Sequence, residues 1–239
     1  GFNPQFGKKP QMVGFVQNGR LVKQTPDTQE QVRLSIPAMD DTLTFRLDGA
    51  FLDKVPSGNN PAKWTGLTNG ATLDHAHGGG PVVLSRIVGP VVQIAPDTFQ
   101  IRFNRISIPS DRRAGDIWLL AHHPGDDACR SIVQQAAMRI PTQLTEGAEQ
   151  KITFPEISDV KLGIESLKLN AISDSGAPVF YYLREGPAEI DGDTLRFTKI
   201  PTSAKFPVRV TVVAWQWGRR SEPKLKSAEP VERTFFITR

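Results

Sequence analysis

Four histidines in a chain of 239 residues stand in two tight groups, Asp74-His75-Ala76-His77 and His122-His123-Pro124-Gly125-Asp126-Asp127. A His-x-His pair on a strand places both imidazoles on one face, where a nearby carboxylate lets them hold zinc or another divalent ion. Together the groups offer His75, His77, His122 and His123 with Asp74, Asp126 and Asp127, enough for a site if their loops meet. Neither group has the helical spacing of a metalloenzyme motif, and Gly78-Gly79-Gly80 follows His77 directly. The plainer expectation is histidines that hydrogen-bond or face solvent, with no resident cofactor and a divalent metal as the alternative. Nucleophilic chemistry has less to stand on. No Gly-x-Ser-x-Gly occurs, and Cys129 follows Asp126-Asp127-Ala128, where carboxylates disfavour the thiolate. Gly78–Gly80 is not followed by Gly-Lys-Ser/Thr, so it is no phosphate loop. A glycosidase needs two carboxylates aimed at one bond; Asp40-Asp41 is better explained as a turn between two strands. No residue is assigned a catalytic role.

The tryptophans supply the other chemistry. Sugar-binding proteins set an indole against the C–H face of a pyranose and reach its hydroxyls with Asn, Asp, Gln, Arg or His. Trp64 lies among Asn, Lys and Thr, where a core role is less natural, and it is the candidate stacking platform. Trp118, between Ile117 and Leu119-Leu120, is a second ligand-contact candidate whose plainer reading is core packing. Trp215 and Trp217 share a strand face with Val213 and read as buried.

The elements that must position these residues are strands. Gly 20 and Pro 19 are spread along the chain and leave little room for long helices. Where periodicity is legible it is two: Val32, Leu34 and Ile36; Leu43, Phe45 and Leu47; Phe99, Ile101 and Phe103; Val208, Val210 and Val212. Such strands belong to antiparallel sheets with one face on a core. One short helix is expected, Ala128–Met138, on the three- and four-residue spacing of Cys129, Ile132, Val133 and Ala136-Ala137. The fold class is all-β. Hydrophobic residues are 38%, charged residues 23%, and no apolar run is long enough to span a membrane, so no membrane insertion is expected. Net charge is +4, with 15 basic and 14 acidic residues before position 150 and 14 and 11 after it, so the basic excess gathers in no stripe. Arg112-Arg113 and Arg219-Arg220 are isolated pairs, and no nucleic-acid partner is expected. The chain opens Gly1-Phe2-Asn3-Pro4 without a charged-then-apolar start, and it is read as a processed protein or a piece of a longer one.

Composition shifts near residue 150, dividing the chain into 1–150 and 151–239. The second part holds about seven strand candidates separated by Asp174-Ser175-Gly176, Glu185-Gly186-Pro187, Asp191-Gly192-Asp193 and Gly218. Its sequence, from Ile152-Thr153-Phe154-Pro155 through Ser173-Asp174-Ser175-Gly176-Ala177-Pro178-Val179, Gly186-Pro187-Ala188 and Gly192-Asp193-Thr194-Leu195 to Val210-Thr211-Val212-Val213-Ala214-Trp215-Gln216, resembles a bacterial immunoglobulin-like repeat of multidomain secreted and cell-surface proteins. Ala177 stands where such repeats usually have Leu, Arg184-Glu185 replaces a Ser, and Pro201–Phe206 is an enlarged loop. The resemblance implies an immunoglobulin-like sandwich, a spacer role, further domains of the same chain as partners, and a secreted or cell-surface location.

The first part reads as a larger antiparallel sandwich, jelly-roll-like, interrupted by the irregular insert Asp53–Pro81. It broadly resembles β-sandwich accessory modules beside immunoglobulin-like repeats in polysaccharide-active bacterial proteins. The expected function is therefore a non-catalytic glycan-binding region, with Trp64, Asp74, His75, His77, Trp118, His122 and His123 as candidate contacts. Two alternatives are a hydrolase or lyase using the His/Asp groups, with or without a metal, and a purely structural or adhesive pair of domains.

Overall fold

A computed structural model describes residues 7–23, 31–103 and 115–239. The end of the expected strand Phe99–Ile106 and the Arg112-Arg113 pair lie outside the described residues. The chain divides into two compact units, one built from residues up to Arg102 and Gly115–Ile140, the other from Pro141–Arg239 with Phe103.

The first unit contains β1 (Val13–Gln17), β2 (Arg20–Leu21), β3 (Gln31–Arg33), β4 (Thr44–Arg46), β5 (Asp48–Phe51), the one-helix insert α1 (Asn59–Thr65), β6 (Val83–Val88), β7 (Val91–Ala95), β8 (Thr98–Ile101), β9 (Asp116–His123) and β10 (Ile132–Arg139). Its sheets run β3-β10-β9-β6, β4-β8-β7 and β2-β1-β5. β9 alternates strictly: Ile117, Leu119, Ala121 and His123 are buried, while Asp116, Trp118, Leu120 and His122 face outward. Opposite, Phe45 and Phe99 stack with ring centroids 5.7 Å apart. Asp40 makes the turn expected of it, its Oδ1 accepting the N–H groups of Thr42 (2.9 Å) and Thr44 (3.0 Å).

Two expectations are corrected here. Ala128–Met138 is no helix: Ile132–Arg139 pairs antiparallel with β9, from Ile132 opposite His123 to Arg139 opposite Asp116. The sandwich is also not a jelly roll, because β3 pairs parallel with β10 and the remaining order is that of an immunoglobulin-like domain.

The second unit contains β11 (Ile152–Thr153), β12 (Val160–Lys161), β13 (Ser166–Lys168), β14 (Ile172–Ser173), β15 (Phe180–Glu185), β16 (Ala188–Asp191), β17 (Thr194–Phe197), β18 (Val208–Trp215) and β19 (Val231–Thr238). One sheet runs β12-β19-β18-β15, with β12 parallel to β19, and the other β13-β17-β16, with β11 pairing β14 beside them. Leu195, Val210, Val212, Phe235 and Ile237, drawn from both sheets, close the core. Each such side chain contributes about 1.5–3 kcal/mol by leaving water. Trp215 and Trp217 are buried, as expected.

The two orders are the same. Reading β1, β3, β4, β5, β6, β7, β8, β9 and β10 against β11, β12, β13, β14, β15, β16, β17, β18 and β19 reproduces every pairing, including the parallel one. Details repeat as well. Gly89-Pro90 precedes β7 and Gly186-Pro187 precedes β16. The Leu47 N–H donates to the Asp97 carbonyl and the Leu169 N–H to the Asp193 carbonyl, and those aspartates pair with Arg46 and Lys168. The chain is two consecutive variants of one immunoglobulin-like sandwich. The units differ most between their fourth and fifth matched strands, where residues 52–82 stand in the first and only 174–179 in the second.

Candidate ligand-binding site

In this topology the connection entering β6 and the connection from β9 to β10 lie at the same end of a sandwich, the end that carries binding loops in variable immunoglobulin domains. Both histidine groups sit on those connections, so the fold brings them together. The junction is made by one carboxylate and one imidazole. Asp126 Oδ2 accepts the N–H groups of His77 (2.8 Å) and Gly78 (3.2 Å), and Oδ1 accepts those of Ala128 (2.9 Å) and Cys129 (2.8 Å). These four donors hold the Asp126 carboxyl far below the usual carboxylate range. His123 is 1% exposed. Its Nε2–H donates to the Gly80 carbonyl (3.0 Å) and its Nδ1 accepts the Gly125 N–H (3.0 Å). Gln11 adds a third limb, donating to the Arg130 carbonyl (2.6 Å) and accepting the Ala76 N–H (2.9 Å).

The expected ligand set is therefore placed, residue by residue, as follows. His123 is a correction: it is spent on the backbone and buried, so it cannot touch a ligand. His75 and His77 do not share a strand face, because residues 74–77 are irregular. The His75 ring stacks on Phe51 (4.9 Å), with Nε2 3.1 Å from the Leu52 carbonyl and 3.6 Å from Asp53 Oδ1. His77 is exposed. Asp74 is exposed and pairs with Lys9 at 2.8 Å, which lowers its pKa. His122 faces outward between Val83 and Val133. Trp118 lies on that same outer sheet face, half-buried between Ala137 and Val88, and not in the core as its plainer reading had it. Among the described residues no group of three or more His, Cys, Asp or Glu is placed to hold a metal ion.

The insert is less irregular than its sequence suggests. Its two limbs pair, Val55 N–H to the Ala71 carbonyl (2.9 Å) and Leu73 N–H to the Asp53 carbonyl (2.9 Å), with a Lys54–Thr72 bridge between them. Leu52, Val55 and Leu73 bury against Met12, with Leu67 and Ala71 packed on them, giving the insert a core of its own. Pro61 suits the first turn of α1, and the Thr65 hydroxyl donates back to its carbonyl (2.7 Å). Trp64, on that turn, is 39% exposed. A groove of about 760 Å³ runs along the foot of the insert, lined by Leu21, Lys23, Leu52, Lys54, Ser57 and Gly58 among others. Sequence reasoning missed Gln11 and Asp126 as the organisers of this end. Asp126 was offered there as a candidate ligand beside the histidines, whereas the structure gives it backbone N–H partners.

No family model matches the chain, and no curated protein matches it. Among solved structures it is similar to cadherin repeats 1–2 of human protocadherin-24 (8% identity, 95% of this chain and 98% of that one, TM-score 0.29). It is similar also to repeats 22–24 of mouse cadherin-23 (14% identity, 95% and 67%, TM-score 0.27). A third likeness is to an endo-fucoidan hydrolase of glycoside hydrolase family 107 (12% identity, 66% and 23%, TM-score 0.26). None of these carries an assignment of function; the all-β sandwich architecture rests on the sheets themselves.

Proposed function

We propose that the first unit is a non-catalytic glycan-binding module and the second a spacer of the same fold, in a secreted or cell-surface protein of several domains. The observation that carries this is the insert. Of two sandwiches with one strand order, the first alone carries an internally cored platform between its fourth and fifth matched strands, and that platform displays an indole. Exposed tryptophan is costly to leave in water and is well suited to the C–H face of a sugar ring. The groove at the foot of the insert, with Lys23, Lys54, Asp53 and Ser57, offers donors and acceptors for hydroxyls. Lys9, Asp74 and His77 form a polar rim on the neighbouring limb. Binding alone is invoked: Asp74 is paired with Lys9 and Asp126 is taken up by backbone N–H groups.

The test is a glycan array followed by affinity electrophoresis on the intact chain and on Trp64→Ala. Retention by at least one polysaccharide without product release, lost at least tenfold in Trp64→Ala, is the expected result. Retention unchanged by Trp64→Ala, or none on any polysaccharide, overturns the assignment.

A further inference from the structure

The first unit holds five lysines, Lys8, Lys9, Lys23, Lys54 and Lys63. Two have partners: the Lys8 ammonium donates to the Asp126 carbonyl (2.6 Å) and Lys9 pairs with Asp74. Among the described residues the other three meet no carboxylate, and all three stand on the insert or on the groove at its foot. Lys63 has a structural reason for its place, since the last turn of α1 leaves carbonyls that favour a cation. Lys23 and Lys54 are exposed and line one groove of about 760 Å³. Like charges on one concave wall repel each other and focus a positive potential into it. The groove's one carboxylate, Asp53, has its Oδ1 3.6 Å from His75 Nε2. The second unit supplies the contrast. Its cleft of about 620 Å³ is lined by Glu149, Lys151, Lys226 and Glu229, two charges of each sign, and Lys226 pairs with Glu149 at 3.1 Å. The groove has a basic excess and the cleft has none.

We propose that this groove binds an acidic polysaccharide, its carboxylate or sulfate groups met by Lys23 and Lys54 and its sugar rings by the apolar floor. The proposal rests on the glycan reading and names the class of glycan. Leu21 is 49% exposed, and Leu52, Val55 and Pro56 continue the apolar lining, so the C–H faces of a pyranose have a surface to cover. An ammonium is a compact point charge on a flexible stem. It can follow anionic groups along a chain of sugars without the fixed fork geometry that a guanidinium imposes. Both side chains stand in water, where salt screens them fully, so the attraction is sensitive to ionic strength. A neutral polysaccharide gains nothing from either charge. A polyanion without pyranose rings gains the charge and leaves the apolar floor uncovered.

The test titrates the intact chain with alginate and pectate for carboxylate, carrageenan and dextran sulfate for sulfate, dextran and xylan as neutral polymers, and single-stranded DNA. At least one acidic polysaccharide should bind and neither neutral one should. Its Kd should rise about tenfold between about 50 and about 200 mM NaCl, as the release of counterions by two or three lysines requires. Lys23→Gln/Lys54→Gln should weaken binding by about fivefold or more and flatten that dependence. Lys199→Gln/Lys205→Gln removes two exposed charges from the second unit and should change neither. Binding to the carboxylated or to the sulfated probes alone supports the proposal and says which anion is read. Neutral polymers bound as well as acidic ones, and lost in Trp64→Ala, overturn the acidic class and leave the glycan reading standing. Equal losses in the two lysine pairs overturn the groove as the site of the charge effect. DNA bound as tightly as the acidic polysaccharides overturns both readings, because no sugar face is then being recognised. A chain that binds no polysaccharide also overturns both.

Discussion

At the scale of single residues, the end of the first sandwich depends on groups with no room to change. Gly125 adopts φ +77, and a Cβ there would lie 2.5 Å from the Cys129 carbonyl oxygen. Gly218, at φ +99, would meet the Leu225 carbonyl oxygen at 2.5 Å. Left-handed backbone strain and a backbone clash coincide at both positions, so Gly125→Ala and Gly218→Ala should each cost at least about 2 kcal/mol. Urea denaturation of each variant measures this, and a loss below about 1 kcal/mol would mean that the turns relax. Asp126 makes a different prediction. Its carboxyl is held below the usual range, so its contribution is present above that range and disappears as pH falls through the lowered value. Asp126→Asn should lower the melting temperature at neutral pH and flatten its decline between about pH 4 and 2. Thermal melts across that range show whether the two curves converge in acid. Neither role is visible in the sequence, where Asp126 is one of two adjacent aspartates and Gly125 one of many loop glycines. For Gly125 the backbone of its own turn decides, and for Asp126 two of the four donors, the His77 and Gly78 amides, come from a distant chain segment.

At the scale of elements, what could be read depended on polarity following burial. β9 was legible because its inward residues are apolar. β10 was not, because its polarity is inverted: Val133 faces solvent at 60% exposure while Gln134 is 6% exposed. With that alternation reversed, the spacing of Cys129, Ile132, Val133 and Ala136 fits a helix as well as a strand. The insert was read as irregular for a related reason. Its limbs, Asp53–Val55 and Ala71–Leu73, are too short to show a period, and their pairing joins residues nearly a full insert apart. That pairing permits a clean excision. Deleting residues 56–70 and joining Val55 to Ala71 through Asn-Gly should leave a folded sandwich, because the limbs already sit in antiparallel register. Circular dichroism should show the same β content, and affinity electrophoresis should show retention lost with Trp64. A folded deletion chain that still binds its polysaccharide would move the site to the outer sheet face, where Trp118 and His122 stand.

At the scale of the whole molecule, one fold appears twice, and the sequence declared it once. The second unit keeps its turns short, so Gly176, Gly186 and Gly192 fall where strands end and the series of strands can be counted. In the first unit, residues 52–82 interrupt the count between matched strands, and the immunoglobulin order is hidden behind what looks like a larger domain. Only register shows the identity: a parallel β3–β10 pair answering β12–β19 is not something that composition or period encodes. The division has a thermodynamic consequence. The core of Leu195, Val210, Val212, Phe235 and Ile237 is drawn wholly from Pro141–Arg239, as are the Trp217 indole bond to the Pro141 carbonyl (2.5 Å) and the Gln150–Gln216 bond. A fragment spanning Pro141–Arg239 should therefore fold alone and cooperatively, with stability of about 5–15 kcal/mol for a domain of this size. Within it, Leu195→Ala should cost about 2–5 kcal/mol, since that side chain is fully buried between the sheets. Urea melts of the fragment and of its Leu195→Ala variant decide the matter. A single sharp transition that shifts by that amount establishes the second unit as an independent domain. A fragment without a cooperative transition would show that it depends on residues before Pro141, and the two sandwiches would then be one folding unit.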